Sequence, residues 1–248
     1  MKNLITASIF VTSILSSFSS LAYEKGDVLL RMGMSLIEPH EESDSLSITN
    51  PPIGALDNVL GSKTGLEVGN ASALAGTLSY VFDKNWGIET LIGLPVELDV
   101  TITGLTALGL DDLASLNILP LTVSLQYYPT MNHSPFQVYA GIGLNYAHMS
   151  NVELDDSVQA NLMAEDVDFS FDDSFGLVMD VGVDWQVNDK WFVNASVCYF
   201  TLETDVEAEI TQSAALGGIA LAGPIDAQLE TSIKANVFIY FLTAGYRF

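Results

Sequence analysis

Few side chains in this chain are spaced for covalent chemistry. The three histidines, His40, His133 and His148, are scattered; no G-x-S-x-G elbow is present; and Cys198 is the single cysteine. Neither a nucleophile–base pair nor a zinc-spaced Cys/His set can be drawn from them, so no enzyme, metal or cofactor is expected. What remains is ion-pair chemistry. Arg31, Glu89, Asp184 and Arg247 each interrupt an otherwise apolar stretch. A charge among apolar groups persists only when it is paired and hydrogen-bonded, so the elements that carry these residues must bring them together.

Those elements read with a period of two. In the last stretch, 237–248 (VFIYFLTAGYRF), every second residue back from Phe248 is apolar or aromatic: Tyr246, Ala244, Leu242, Tyr240, Phe238. A strand turns alternate side chains to opposite faces, and a transmembrane strand needs ~9–11 residues, so this segment is long enough to cross a bilayer. Seven more segments alternate in the same way: 27–39, 71–82, 86–100, 118–128, 136–149, 175–187 and 191–204. Short turns follow the second, fourth and sixth, and long loops follow the odd ones, 41–67, 109–115 and 206–231 among them. The pattern predicts an all-β, eight-stranded antiparallel up-and-down transmembrane barrel, with both termini in the periplasm and four long extracellular loops. A soluble eight-stranded barrel would put polar residues outside, whereas the outward sets here are nearly all apolar.

Composition agrees. The chain is 49% hydrophobic and 16% charged, yet beyond residue 22 no run of ~18 apolar residues could span a membrane as a helix. Scattered alternation resolves that conflict. Residues 1–22, with Lys2, an apolar run and Ser20-Leu21-Ala22, read as a secretory signal peptide cut after Ala22, leaving 23–248 as the barrel. The 8 basic residues against 31 acidic ones argue against nucleic acid as a partner. Most of the acid lies between the apolar segments, at Glu41, Glu42 and Asp44, at Asp111 and Asp112, from Asp155 to Asp173, and from Glu203 to Glu209. These are expected to be solvated loops.

Several stretches together resemble the outer-membrane protein W (OmpW) family: NWGIETLIGLP from Asn85, ILPLTVSLQYYP from Ile118, FQVYAGIGLNYAHM from Phe136, SFGLVMDVGVDWQVNDKWFVNASVCYF from Ser174, and the terminal TAGYRF. The resemblance implies an eight-stranded barrel in the outer membrane of a Gram-negative bacterium and a role in uptake of small hydrophobic molecules. It also implies a constriction at Leu91 and at Cys198, where the family pattern has Trp; Phe200 or Phe241 is expected to supply the missing bulk.

Strand polarity sorts the inward residues by height. Arg31, Glu89, Asp184 and Arg247 fall near the periplasmic end, where opposed charges are expected to plug a lumen only wide enough for side chains, with both arginines pairing to Glu89 and Asp184. Ile37, Leu91, Pro95, Cys198, Phe200 and Phe241 fall nearer the outside and line an apolar half suited to an apolar ligand. Pro95 also removes a ladder donor, which predicts a bulge or opening there and a sideways exit into the bilayer. The expected partners are outer-membrane lipid and lipopolysaccharide, a small hydrophobic ligand, and the barrel-assembly machinery acting on the Phe248 strand. The alternative is a structural barrel whose acidic loops contact lipopolysaccharide, cations or external partners.

Overall fold

The alternation closes on itself in a computed structural model, which describes residues 23–43, 47–50, 65–103, 112–131, 134–155, 166–216 and 219–248. The strands are β1 (Val28–Ser43), β2 (Ser47–Asn50), β3 (Gly65–Val68), β4 (Ala71–Asp83), β5 (Trp86–Gly93), β6 (Val96–Thr103), β7 (Asp112–Tyr127), β8 (Phe136–Leu154), β9 (Asp166–Phe171), β10 (Ser174–Gln186), β11 (Trp191–Leu216) and β12 (Ile219–Arg247). Neighbours run in the order β12-β1-β4-β5-β7-β8-β10-β11, and β11 pairs back onto β12. The result is a closed eight-stranded antiparallel barrel, with β3, β6 and β9 continuing β4, β5 and β10 upward. Closure leaves the membrane-spanning wall without a sheet edge.

Each face follows from the period of two. Leu29, Arg31, Ser35 and Ile37 are buried, while Met32, Met34 and Leu36 between them are exposed to the lipid side. Aromatic pairs mark two heights. Trp86–Tyr127, Phe136–Trp185 and Trp191–Tyr246 sit at the turn end, and Tyr146–Phe175 and Tyr199–Phe238 at the other. Phe136 and Tyr146 stand ten residues apart on β8. At about 3.3 Å per residue and a tilt of ~40°, the two rows lie about 25 Å apart, the height of an outer-membrane apolar band.

Above that band the barrel turns inside out. Leu202, Val206, Ala208, Ile233, Ala235 and Val237 are buried in its interior, and Glu203, Asp205, Glu207 and Glu209 are exposed. The acids expected in a loop over 206–231 therefore stand on strands, because β11 and β12 stay paired from Trp191↔Tyr246 up to Leu216↔Ile219. The expected loop boundaries at 41–67 and 109–115 shift likewise: β1 runs to Ser43 and β7 begins at Asp112. Water on the outside and apolar packing on the inside sustain a ladder as well as lipid does, with the alternation reversed. The expected signal peptide, residues 1–22, lies outside the described residues, as do Asp44, Asp111, His133, Asp156 and Glu165.

The third wall strand is broken where Pro95 predicts it. β5 pairs β7 as far as Thr90↔Val123, and β6 resumes only at Val96↔Ile118, one residue out of step. On the other side, pairing with β4 ends at Ala75↔Gly93. Inward residues accordingly switch from odd (Glu89, Leu91) to even (Leu98, Val100) across the break. Pro95 is exposed at this break rather than buried in the lumen, because the extra residue flips the faces. Pro120 lies opposite, on the stretch of β7 that pairs β8 alone, and neither proline has an N–H to close the gap.

Candidate functional site

At the turn end, the lumen is filled by one guanidinium and the groups that surround it. Arg31 grips Asp184 with Nη2 (2.7 Å to Oδ2) and Nε (3.1 Å to Oδ1), and Glu89 with Nη1 (2.7 Å to Oε2). Arg31 is 1% exposed and Asp184 0%, so the bridge is sealed from water. β1, β5 and β10 hold the three residues at one height, and the neighbouring strands satisfy what is left. Ser79 Oγ donates to Glu89 at 2.6 Å, Asn194 Nδ2 to Asp184 at 2.7 Å, and the rings of Tyr139 and Phe192 lie 4.9 and 5.5 Å from the guanidinium.

Tyr23, which precedes β1, caps this network from below. Its hydroxyl donates to Asp184 Oδ2 at 2.6 Å and accepts from Gln186 Nε2 at 3.1 Å, while its ring stands edge-on to Tyr128 at 5.3 Å. No alternation points to it, since it lies outside the first strand. The contribution expected of Arg247 takes a different form. Arg247 Nε meets Asp27 Oδ2 at 2.8 Å, because its register partner on β1 is Leu29, one inward position below Arg31, which leaves it at the rim.

Immediately above the network, Leu91, Cys198, Phe200 and Phe241 line a chamber of about 20 Å³ that Asp180, Ser124 and Ser196 also line. That is room for about one water. Cys198 is a free thiol. Asp180, on β10, accepts from Gln126 Nε2 at 2.8 Å through Oδ1. Gln126 also reaches Glu89 Oε1 at 3.3 Å, joining the chamber to the floor.

Phe200 is shared with a second cavity above, of about 60 Å³, whose walls include Ile37, Pro39, Leu98, Pro120, Ile118 and Ile239. Its lining is apolar apart from Thr204. Among the expected gate residues, then, four surround the lower chamber, Ile37 lines the upper cavity, and Pro95 stands at the wall break. The upper cavity favours an apolar group, since an ion seated there would shed its water without replacement.

The outer rim carries one further polar cluster. Asp173 accepts from Tyr146 Oη at 2.5 Å and from Met149 N–H at 3.1 Å, with His148 Nδ1 at 2.9 Å. The Tyr146 hydroxyl first, then the Met149 amide, hold its carboxyl below the usual carboxylate range.

A family model described as the OmpW family matches residues 24–248. Outer membrane protein W of Vibrio cholerae is 30% identical over 239 residues, covering 96% of each chain. Outer membrane protein W of Escherichia coli is 32% identical over 249 residues, covering 100% of each. Among solved structures, the crystal structure of the outer membrane protein OprG from Pseudomonas aeruginosa superposes with a TM-score of 0.76 at 25% identity, covering 93% of this chain and 99% of that one.

Proposed function

Since the chain belongs to the OmpW family and is an outer-membrane β-barrel of a Gram-negative bacterium, we propose that it admits small hydrophobic molecules from the cell exterior through the apolar upper lumen and releases them sideways into the membrane. The observation that carries this reading is the order of features along the axis. An apolar cavity stands over a chamber at Leu91 and Cys198, and below both lies a floor closed by Arg31, Glu89, Asp184 and Tyr23. A solute that enters from above meets a charged, water-free floor and has one way on. The unpaired window beside Pro95 and Pro120 supports that sideways route, because a gap between strands needs no ladder hydrogen bonds broken before a solute passes.

The role is transport without catalysis. The mature chain starts at Tyr23 after removal of residues 1–22, the Phe248 strand is the signal for the barrel-assembly machinery, and the outer rim sits among lipopolysaccharide headgroups. Proteoliposomes test the central claim: apolar solutes should enter faster than polar solutes of equal size. Equal rates for the two would sink it.

A second reading draws on the acids. Glu203, Asp205, Glu207 and Glu209 form an exposed row on β11, as a barrel that bridges cations or lipopolysaccharide would present. Under that reading, replacing the row by Gln weakens surface binding and leaves solute entry unaltered.

A further inference from the structure

We propose that the solute carries a cationic amine head, so that its ammonium group sits against Asp180 in the lower chamber while its apolar tail occupies the cavity above. This deepens the conduit reading and rests on it.

The argument starts from charge. The lower lumen holds one guanidinium, Arg31, against three carboxylates, Glu89, Asp180 and Asp184. Arg31 is committed to Glu89 and Asp184 at 2.7 Å each and makes no salt bridge to Asp180. Asp180 is 8% exposed; its Oδ1 takes one amide donor from Gln126, and its Oδ2 has no hydrogen-bond partner. A carboxylate has about four acceptor positions, and burial of the charged form with a single donor is costly until a cation or a proton joins it.

Space and neighbours fit an ammonium. The chamber beside Asp180 has about 20 Å³, room for one water-sized group, and an ammonium is of that size. It carries three donors, and the hydroxyls of Thr77, Ser124 and Ser196 line the same chamber. Gly141 keeps the carboxylate where it is, since a Cβ there would stand 2.4 Å from Oδ2. Phe200 borders both spaces, so a tail attached to that head enters the apolar cavity directly.

The approach is acidic too. Glu67, Glu97, Asp99 and Glu153 line a groove of about 660 Å³ on the upper wall. A field of that sign gathers cations around the outside of the upper wall and repels carboxylates. Amines are thereby separated from alcohols by the head site and from fatty acids by both features.

The test uses the full-length mature protein in phosphatidylcholine nanodiscs, titrated calorimetrically at neutral pH with decylamine, decanol and decanoate, with empty nanodiscs subtracted. Decylamine should bind about tenfold or more tightly than decanol, the worth of one charge-assisted contact, and decanoate should bind most weakly. In Asp180→Asn the amine-to-alcohol ratio should fall to about one, and Asp180→Glu should keep it above one. Equal wild-type affinities for decylamine and decanol would overturn the proposal and leave the conduit standing, as would an amine preference unchanged in Asp180→Asn. Failure of all three compounds to bind would remove the conduit reading and this proposal with it.

Discussion

Arg31 and Asp184 lie on strands 153 residues apart in sequence, yet they form a two-nitrogen grip, 2.7 and 3.1 Å, with almost no solvent contact. The same guanidinium holds Glu89, so one side chain ties β1 to both β5 and β10. Arg31→Leu should therefore cost about 3–5 kcal/mol, because it leaves two carboxylates buried without a cation. Urea titration of the refolded protein in lipid vesicles measures this. Adding Glu89→Gln and Asp184→Asn to the same chain should recover most of the loss, and failure to recover would mean that the arginine acts through packing rather than charge.

Tyr23 should govern leakage through the floor. Tyr23→Ala removes a ring packed edge-on to Tyr128 and Phe192 and should raise ion current in planar bilayers above the wild-type level. Tyr23→Phe keeps the ring, loses the hydrogen bond to Asp184, and should cost about 1.5–3 kcal/mol of stability with little change in current. Equal currents in all three proteins would assign closure to the Arg31 network alone.

Hydrogen exchange should find the window in the wall. Across the break residues 91–95 and 119–121 have no register partner; 91–93 still pair β4, 119–121 still pair β8, and Leu91 N–H donates to Thr122 Oγ1 at 3.1 Å, which leaves Leu94 paired on neither side. In bilayers the Leu94 amide should exchange at least about tenfold faster than the amides of 87–90, which are paired on both sides. Protection at Leu94 equal to that of 87–90 would argue against a sideways exit.

How much of this was legible in the sequence divides along physical lines. Period two located the membrane wall, because lipid demands apolar residues on every outward position; Met32, Leu74 and Leu144 obey it. It lost the upper barrel, where β11 and β12 carry Glu203 to Glu209 outward and the polarity reverses, so paired strands read as loops. It paired Arg247 wrongly, since register and not proximity in sequence pattern decides that Arg247 reaches Asp27. It carried no sign of Tyr23, which is fixed by tertiary contacts at a chain segment outside any strand. Leu91 and Cys198 line one chamber, on the inward face where alternation puts both, while a constriction formed by the two is implied by the family resemblance alone.

Acid should leave the outer rim intact until low pH. The carboxyl of Asp173 lies below its ordinary value when folded, so the stabilisation it lends is present above that ordinary value and is lost as pH falls through the lowered one. The hydrogen bond from Tyr146 should thus persist from neutral pH down past the usual carboxylate range, followed through the Tyr146 ring signals by NMR in nanodiscs. Loss of the contact above the usual carboxylate range would contradict this.

The most direct measurement is single-channel current and apolar-ligand binding on one purified preparation in lipid, for wild type and for Leu91→Trp. The account predicts apolar binding with little steady ion current in the wild type, and weakened binding once Trp crowds the chamber that Leu91 shares with Cys198 and Phe241. A steady ohmic current with no apolar binding in either protein would contradict it.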